Sequence, residues 1–398
     1  MEFRNRLFDV KTDVSSQTKK KQAKKKLRGP DSPLYTSIWP MIYAVRVFGL
    51  APYDFSQDHP VPSNMYLIFT AIAATLYTHL FYVVMKKFFA LDRDDKVLEA
   101  TEDAKVTINY SAAVYELGLT AFKRRSFIRI WNALQDYDED VRQLGYPRNE
   151  KQTAIAAWCV TVMATIIWIA VNRTGMHAFD ETWTNNMGYM IIYVGSSIAV
   201  YKFVAMAFFL GQRFRHLNMI TIKNLPSASE NMIIITISKT TILNLHNNLM
   251  IAAESLASMY SLSLLLWFAN LGLHTVSNLF FIIKWVLENG HDLYPWGSTS
   301  WSLICCLGSW LLAFFLQLLL LHIVCHYASF QANRMGIILI EWQVRLMKKN
   351  DECVKPLLQF LNRRFNFSAG GCFYVNLPLL CSIAALSSTY LVVLLQFP

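Results

Sequence analysis

The chain is 398 residues long, 54% hydrophobic and only 16% charged, with a formal net charge of +10. So few charges on so apolar a chain exclude an ordinary soluble domain and point to a membrane. The basic residues are concentrated in a few segments, and that concentration gives the chain a direction.

Residues 1–33 carry Lys19-Lys20-Lys21 and Lys24-Lys25-Lys26 and lack the pattern of a secretory leader. They read as a disordered, basic cytoplasmic tail. In a multispan chain such a run anchors the inner face, so no nucleic-acid partner is expected. Residues 34–54 are apolar but interrupted by Pro40, Arg46 and Pro52, which suits a short re-entrant helix better than a span. Seven further apolar stretches follow, near 64–89, 104–122, 152–172, 187–212, 256–286, 301–328 and 373–397. Crossing a ~30 Å hydrocarbon core takes ~20 such residues. An alternative count makes 35–54 a span and leaves 104–122 inside; both counts share one orientation from residue 152 onward.

With the N-terminus inside, segments 1–63, 123–151, 213–255 and 329–372 are cytoplasmic and hold 29 of the 37 Lys and Arg residues. The outer segments hold Arg93, Lys96 and Arg173. This positive-inside bias puts the C-terminus outside. The expected architecture is therefore an all-α membrane protein of seven transmembrane helices, N-terminus cytoplasmic and C-terminus extracellular. Its parts are the tail (1–33), the re-entrant helix (34–54), a ligand-binding helical bundle (64–328), a cytoplasmic anchor region (329–372) and a last helix (373–398). The outer position of Asn172-Arg173-Thr174 makes Asn172 a candidate glycosylation site.

Within the inner segments, the partly apolar loop 213–255, with Ile233-Ile234-Ile235, implies helices that project into the cytoplasm. Residues 351–366 read as an amphipathic helix, with Gly370-Gly371 as a hinge before the last span. Seven scattered cysteines (Cys159, Cys305, Cys306, Cys325, Cys353, Cys372 and Cys381) argue against a disulfide framework and read as small buried hydrophobes. No metal-ligand spacing, nucleophile motif or Gly-rich phosphate loop is apparent, so neither a cofactor nor an enzymatic role is expected.

Two places carry polar groups inside apolar helices. Along 256–286, Ser263, Trp267, Asn270, His274, Ser277 and Asn278 recur every three or four residues and share a face. Asn109 and Tyr110, Trp168, Tyr189 and Tyr193, and Trp301 lie at matching outer depths on other helices. Aromatic walls with a few hydrogen-bonding groups describe a small-molecule pocket. Interhelical packing with an interfacial aromatic belt is the alternative. Glu116 and Lys202 are ionisable groups inside spans, and pairing would suit them. The second place is the last helix, where Thr389, Val393 and Gln396 share a face beside Phe397. An amide gains nothing from lipid, so this face reads as a pore wall.

Thr389-Tyr390, five apolar residues, then Gln396-Phe397, at the end of the last span, resembles the signature of insect gustatory receptors. The layout and the pre-helix ending Phe48-Gly49-Leu50-Ala51-Pro52 are similar to that family and to insect odorant receptors. The resemblance implies a tastant-gated, non-selective cation channel in the plasma membrane of sensory-neuron dendrites. It implies a homo- or hetero-tetramer whose last helices line one pore. By motif position, Val393, Gln396 and Phe397 would form the constriction, and Thr389 would face the pore deeper in. Leu391 stands where sugar-receptor members typically have Glu. The partners expected are a small-molecule tastant, permeant cations and membrane lipids. Acidic outer residues such as Asp92, Glu102, Asp180, Glu288 and Asp292, and a Pro398 carboxylate at the pore mouth, would favour cations. The alternatives are a seven-helix G-protein-coupled receptor, which would need its N-terminus outside and is opposed by the charge count, and a secondary transporter, for which no repeat or charged midplane site is visible.

Overall fold

The structure, a computed structural model, describes residues 29–89, 96–180, 182–224, 237–289, 299–346 and 363–396. Among these residues the helices are α1 (Pro33–Val47), α2 (Asn64–Phe89), α3 (Lys96–Phe122), α4 (Arg124–Gln143), α5 (Lys151–Phe179), α6 (Trp183–Lys223), α7 (Lys239–Asn289), α8 (Thr299–Leu346) and α9 (Leu377–Gln396). Two small hairpins complete them: β1 (Tyr53–Asp54) with β2 (Val61–Pro62), and β3 (Ser368–Ala369) with β4 (Phe373–Tyr374).

Five described helices are long and apolar enough to cross a membrane: α2, α5, α6, α7 and α8. α3 falls short on composition because its first turns carry Lys96, Glu102, Asp103 and Lys105, two of which pair with each other (Lys105 Nζ–Glu102 Oε1, 2.5 Å). α9 is apolar but short. At 41, 51 and 48 residues, α6, α7 and α8 run for about 60–75 Å at ~1.5 Å per residue, twice a bilayer core. The expected projecting helices are thus continuous extensions of spans, over 213–223 and 239–255.

α6 is the central strut, packed on α3, α5, α7 and α8. Its Phe203, Ala207, Leu210, Phe214 and Leu217 are fully buried at helical spacing. α2 and α5 instead expose Ile68, Ile72, Val162, Met163, Ile166 and Ile169. An apolar face of that extent is what lipid covers.

α1 is only 15 residues, about 22 Å, and too short to span. Ser32 caps it by accepting from the Tyr35 N–H (3.1 Å), and Pro33 opens it, which costs no hydrogen bond at that position. Pro40 sits inside without ending the helix. What ends it is Gly49 at φ 75°, with Leu50 N–H bonded to Val45 O (2.9 Å) and Gly49 N–H to Arg46 O (3.0 Å). A Cβ at Gly49 would lie 2.8 Å from the Ala73 Cβ, so glycine also sets how closely α1 approaches α2.

Three expectations are corrected. Residues 363–366, the described end of the expected amphipathic helix, are not helical; they are held by Asn333, whose amide donates to Phe365 O (2.9 Å) and accepts from Phe365 N–H (2.8 Å). Gly370 and Gly371 (φ 59° and 75°) close the β3–β4 hairpin rather than forming a hinge, and Gly370 N–H ties it to Ser261 O on α7 (2.8 Å). Of the six described cysteines, all free, only Cys306 and Cys325 are buried; Cys159, Cys305, Cys372 and Cys381 lie exposed on apolar helices or the hairpin. The basic tail over 1–28, Ile233-Ile234-Ile235, residues 351–362, Cys353, Asp92 and Asp292 lie outside the described residues.

Candidate functional site

The polar stripe of α7 faces inward. Ser263, Trp267, Asn270, His274, Ser277 and Asn278 are all buried. Asn270 Nδ2 donates to Asn109 Oδ1 on α3 (3.1 Å). His274 lies face to face with Phe314 on α8 (4.1 Å between centroids, 20°) and edge-on to Tyr193 on α6 (5.3 Å). The backbone of Lys105 hydrogen-bonds its ring. Trp310 stacks on Phe314 (5.5 Å, 19°) and meets both Tyr193 (4.9 Å) and Trp168 of α5 (5.5 Å) edge-on. The hydroxyls of Tyr189 and Tyr193 share a hydrogen bond (3.1 Å). Edge-to-face and offset contacts of this kind each contribute about 0.5–1.5 kcal/mol beyond burial. The rings therefore form a stiff aromatic wall beside the stripe.

The stripe itself is not satisfied by the protein. Asn109 Nδ2, Trp267 Nε1, Asn270 Oδ1, His274 Nε2, Ser277 Oγ and Asn278 Nδ2 are buried without a hydrogen-bond partner among the described residues. Each such atom costs about 1–3 kcal/mol unless something else pairs with it. Most buried polar atoms in folded proteins are paired, so a row of orphans along one helix marks where a polar molecule or water belongs.

Not every expected residue joins this cluster. Tyr110 stacks on Phe81 of α2 (4.1 Å, 9°) and shares a hydrogen bond with the Thr78 hydroxyl (3.0 Å), so it is a packing residue of the α2–α3 contact. Trp267 sits two turns below His274, against Phe203 and Tyr260. Trp301 is half-buried at the start of α8. Trp310 and Phe314 are the residues that sequence reading misses. They are one turn apart in a helix that is apolar on every side, so no periodicity singles them out.

Asn172 is a further correction. It lies inside α5, 8% exposed, and its Oδ1 accepts from Asn186 Nδ2 (2.8 Å). A glycan there would break this buried amide pair, so the sequon is a packing site.

On α9, Thr389, Val393 and Gln396 are exposed in the single chain, while Leu391 is buried. Thr389 Oγ1 bonds its own helix at Ala385 O (3.1 Å). Phe397 and Pro398 lie outside the described residues.

Long apolar helices, lipid-facing surfaces on α2 and α5 and an inward, partly unpaired polar stripe define a multi-pass helical membrane receptor. The chain belongs to the 7tm chemosensory receptor family, whose profile matches residues 39–398. Its fold is similar to that of the insect olfactory receptor OR5 from Machilis hrabei, with a TM-score of 0.63 and 16% identity over 92% of this chain and 99% of that one. It is similar also to OR5 in complex with eugenol, with a TM-score of 0.67 and 14% identity over the same shares. No curated protein sequence matches.

Proposed function

We propose that this chain is a gustatory receptor, a tastant-gated, non-selective cation channel of sensory-neuron plasma membrane, working as a homo- or hetero-tetramer. The tastant binds between α3, α6, α7 and α8 against His274, Asn270 and Asn109. One observation carries the reading: the orphaned donors and acceptors on α7 stand beside an aromatic wall, which is the chemistry of a small-molecule pocket. The OR5 complex with eugenol makes a small aromatic ligand in this fold a reasonable precedent. The seven-span, C-terminus-outside topology comes from the charge bias, and the taste assignment from Thr389-Tyr390 with Gln396-Phe397.

The test is to express the chain alone and record current while a panel of bitter compounds, sugars and amino acids is applied. Current without added G-protein supports a channel; second-messenger output without current rejects it. Once a ligand is found, His274→Ala is expected to raise its half-maximal concentration roughly ten- to a hundredfold, since removing one buried partner costs about 1–3 kcal/mol. Basal current and surface level should hold. Unchanged sensitivity would remove the centre of the site.

In the proposed tetramer, Val393 forms an apolar ring that closes by dewetting, and Gln396, nearly one turn on, supplies the polar lining of the open state. Gln396→Ala is expected to change basal current and ligand efficacy at least severalfold without moving ligand affinity in binding assays. A channel with unchanged basal and evoked current would sink the gate.

A further inference from the structure

An apolar cavity lies away from the α7 stripe. It lies on the opposite side of Trp168, between α1, α5 and α6, with a volume of about 410 Å³. Met41 and Phe48 line it from α1, Ala164 and Trp168 from α5, and Met190 and Val194 from α6. No charged side chain reaches it. Three of its polar side chains are already engaged: the Thr161 and Thr165 hydroxyls bond to Ala157 O and Thr161 O of their own helix, and Asn172 is held by Asn186; the Tyr201 hydroxyl and two indoles add the remaining polarity to an otherwise apolar wall. The walls therefore select for an apolar occupant and offer a tastant little to bind.

Its rim tells where the occupant comes from. Ile169 and Trp183 line the cavity and are also 63% and 57% exposed. Ile169 continues the apolar face of Ile155, Val162 and Ile166 on α5, the surface that meets lipid. The cavity is thus continuous with the hydrocarbon region, and an apolar hollow of this size open to lipid is filled from lipid.

We propose that this cavity is a second binding site, occupied by an acyl chain of a bilayer phospholipid. The chain wedges α1 against α5 and α6 and presses on Trp168. Trp168 is the shared wall: its other edges meet Trp310 and Phe314, the rings that back His274. Bilayer composition thereby reaches the ligand pocket through one indole.

The test uses the full-length chain in phosphatidylcholine vesicles doped with a phosphatidylcholine carrying a diazirine on one acyl chain. After illumination, residue-level mass spectrometry of the peptides containing Met41–Phe48 and Val160–Trp168 is expected to place adducts on Met41, Phe48 and Trp168, which line the cavity, counted apart from adducts on the lipid-facing Val162, Met163 and Ile166. Ala164→Trp, which fills the cavity, is expected to lower that labelling at least fivefold, while labelling of the exposed α2 face at Ile68–Ile72 stays constant as an internal standard for a folded, embedded protein. Ala164→Ser, which keeps the space, is expected to label like wild type and covers the case in which the bulky variant misfolds. The proposal is overturned if Met41, Phe48 and Trp168 label no more than the α2 standard, or if Ala164→Trp leaves their labelling intact. It is overturned too if a free diazirine alkane labels them and the phospholipid does not.

Discussion

Lys202→Met is expected to abolish most surface expression and to lower the thermal midpoint in detergent by several degrees. Lys202 lies mid-helix on α6 at 6% exposure. Its ammonium donates to Leu50 O (2.9 Å) and Thr120 Oγ1 (3.2 Å), and sits over the rings of Phe127 (4.6 Å) and Tyr53 (5.6 Å). Glu116 on α3 is the carboxyl group that interacts with it, and Glu116 Oε1 has no hydrogen-bond partner among the described residues. The lysine therefore pins the turn after α1 to α3 and α6, and its charge attracts the nearby Glu116 carboxyl. Removing one member of a buried charge pair costs about 3–5 kcal/mol, because the other is left uncompensated. The double variant Glu116→Gln with Lys202→Met is expected to regain part of the loss, since no charge is then stranded. A Lys202→Met chain with wild-type surface level and midpoint would show that the ammonium is not structural.

Much of this fold is legible in the sequence because the bilayer imposes simple rules. Length and apolarity locate α2, α5, α6, α7 and α8, but only α2 keeps its expected bounds: α6 runs on to Lys223, α7 starts back at Lys239 and α8 continues to Leu346, well beyond the apolar stretches at 187–212, 256–286 and 301–328. The interruptions in 34–54 foretell a short helix, although Pro40 does not break it and Gly49 does the ending. The α7 stripe is legible because polar residues stand out in an apolar helix; His274, Asn270 and Asn109 do come together with Tyr193 and Trp168 near them. What fails has a common cause. Where the outcome depends on a partner distant in sequence, no local pattern reports it. Asn172 looks like a sequon until Asn186 occupies it. Residues 363–366 look helical until Asn333 claims the backbone of Phe365. The lysine and glutamate inside spans are visible at once, but that Lys202 reaches the carbonyl of Leu50 is set by the close approach of α1 to α2 at Gly49.

Acidification is expected to unfasten the end of the bundle capped by α4 before the rest, and Arg213→Met to remove the fastening at any pH. Arg213 is fully buried near the end of α6, where it donates to the Asp138 carboxylate, to Phe209 O (3.1 Å) and to Leu134 O (3.4 Å). Beside it, Arg148 Nε bonds Glu150 Oε1 (2.9 Å), and Thr153 Oγ1 donates to Glu150 Oε2 (2.5 Å). Burial alone would raise Glu150, but Arg213 and Arg148 outweigh it and hold the carboxyl at about 2. Burial, reinforced by the same two arginines, pushes His216 down to about 4, where the Tyr137 hydroxyl shares a hydrogen bond with its Nδ1 (3.1 Å). Both groups are depressed on folding, so in both the unfolded chain takes up the proton first and stability falls as pH falls; Asp138 runs the other way, because burial outweighs the two arginines and raises its carboxyl, and it offsets part of the loss. For His216 the loss begins below about 6.5 and runs to about 4; for Glu150 it begins below about 4.5 and runs towards 2. At one pKa unit per ~1.4 kcal/mol, Glu150 alone contributes on the order of 3 kcal/mol at neutral pH. Thermal unfolding in detergent between pH 7.5 and 4 should therefore show a falling midpoint, with His216→Phe flattening the upper part of the curve. Arg213→Met is expected to lose about 3–5 kcal/mol at pH 7.5, because Arg148 alone is then left to balance both Asp138 and Glu150, and to show a shallower slope below pH 4.5 because Glu150 is no longer held so low. A wild-type midpoint that rises or stays level from pH 7 to 4 would contradict the sign for both groups, and an Arg213→Met chain as stable as wild type would remove the arginine from the centre of the network.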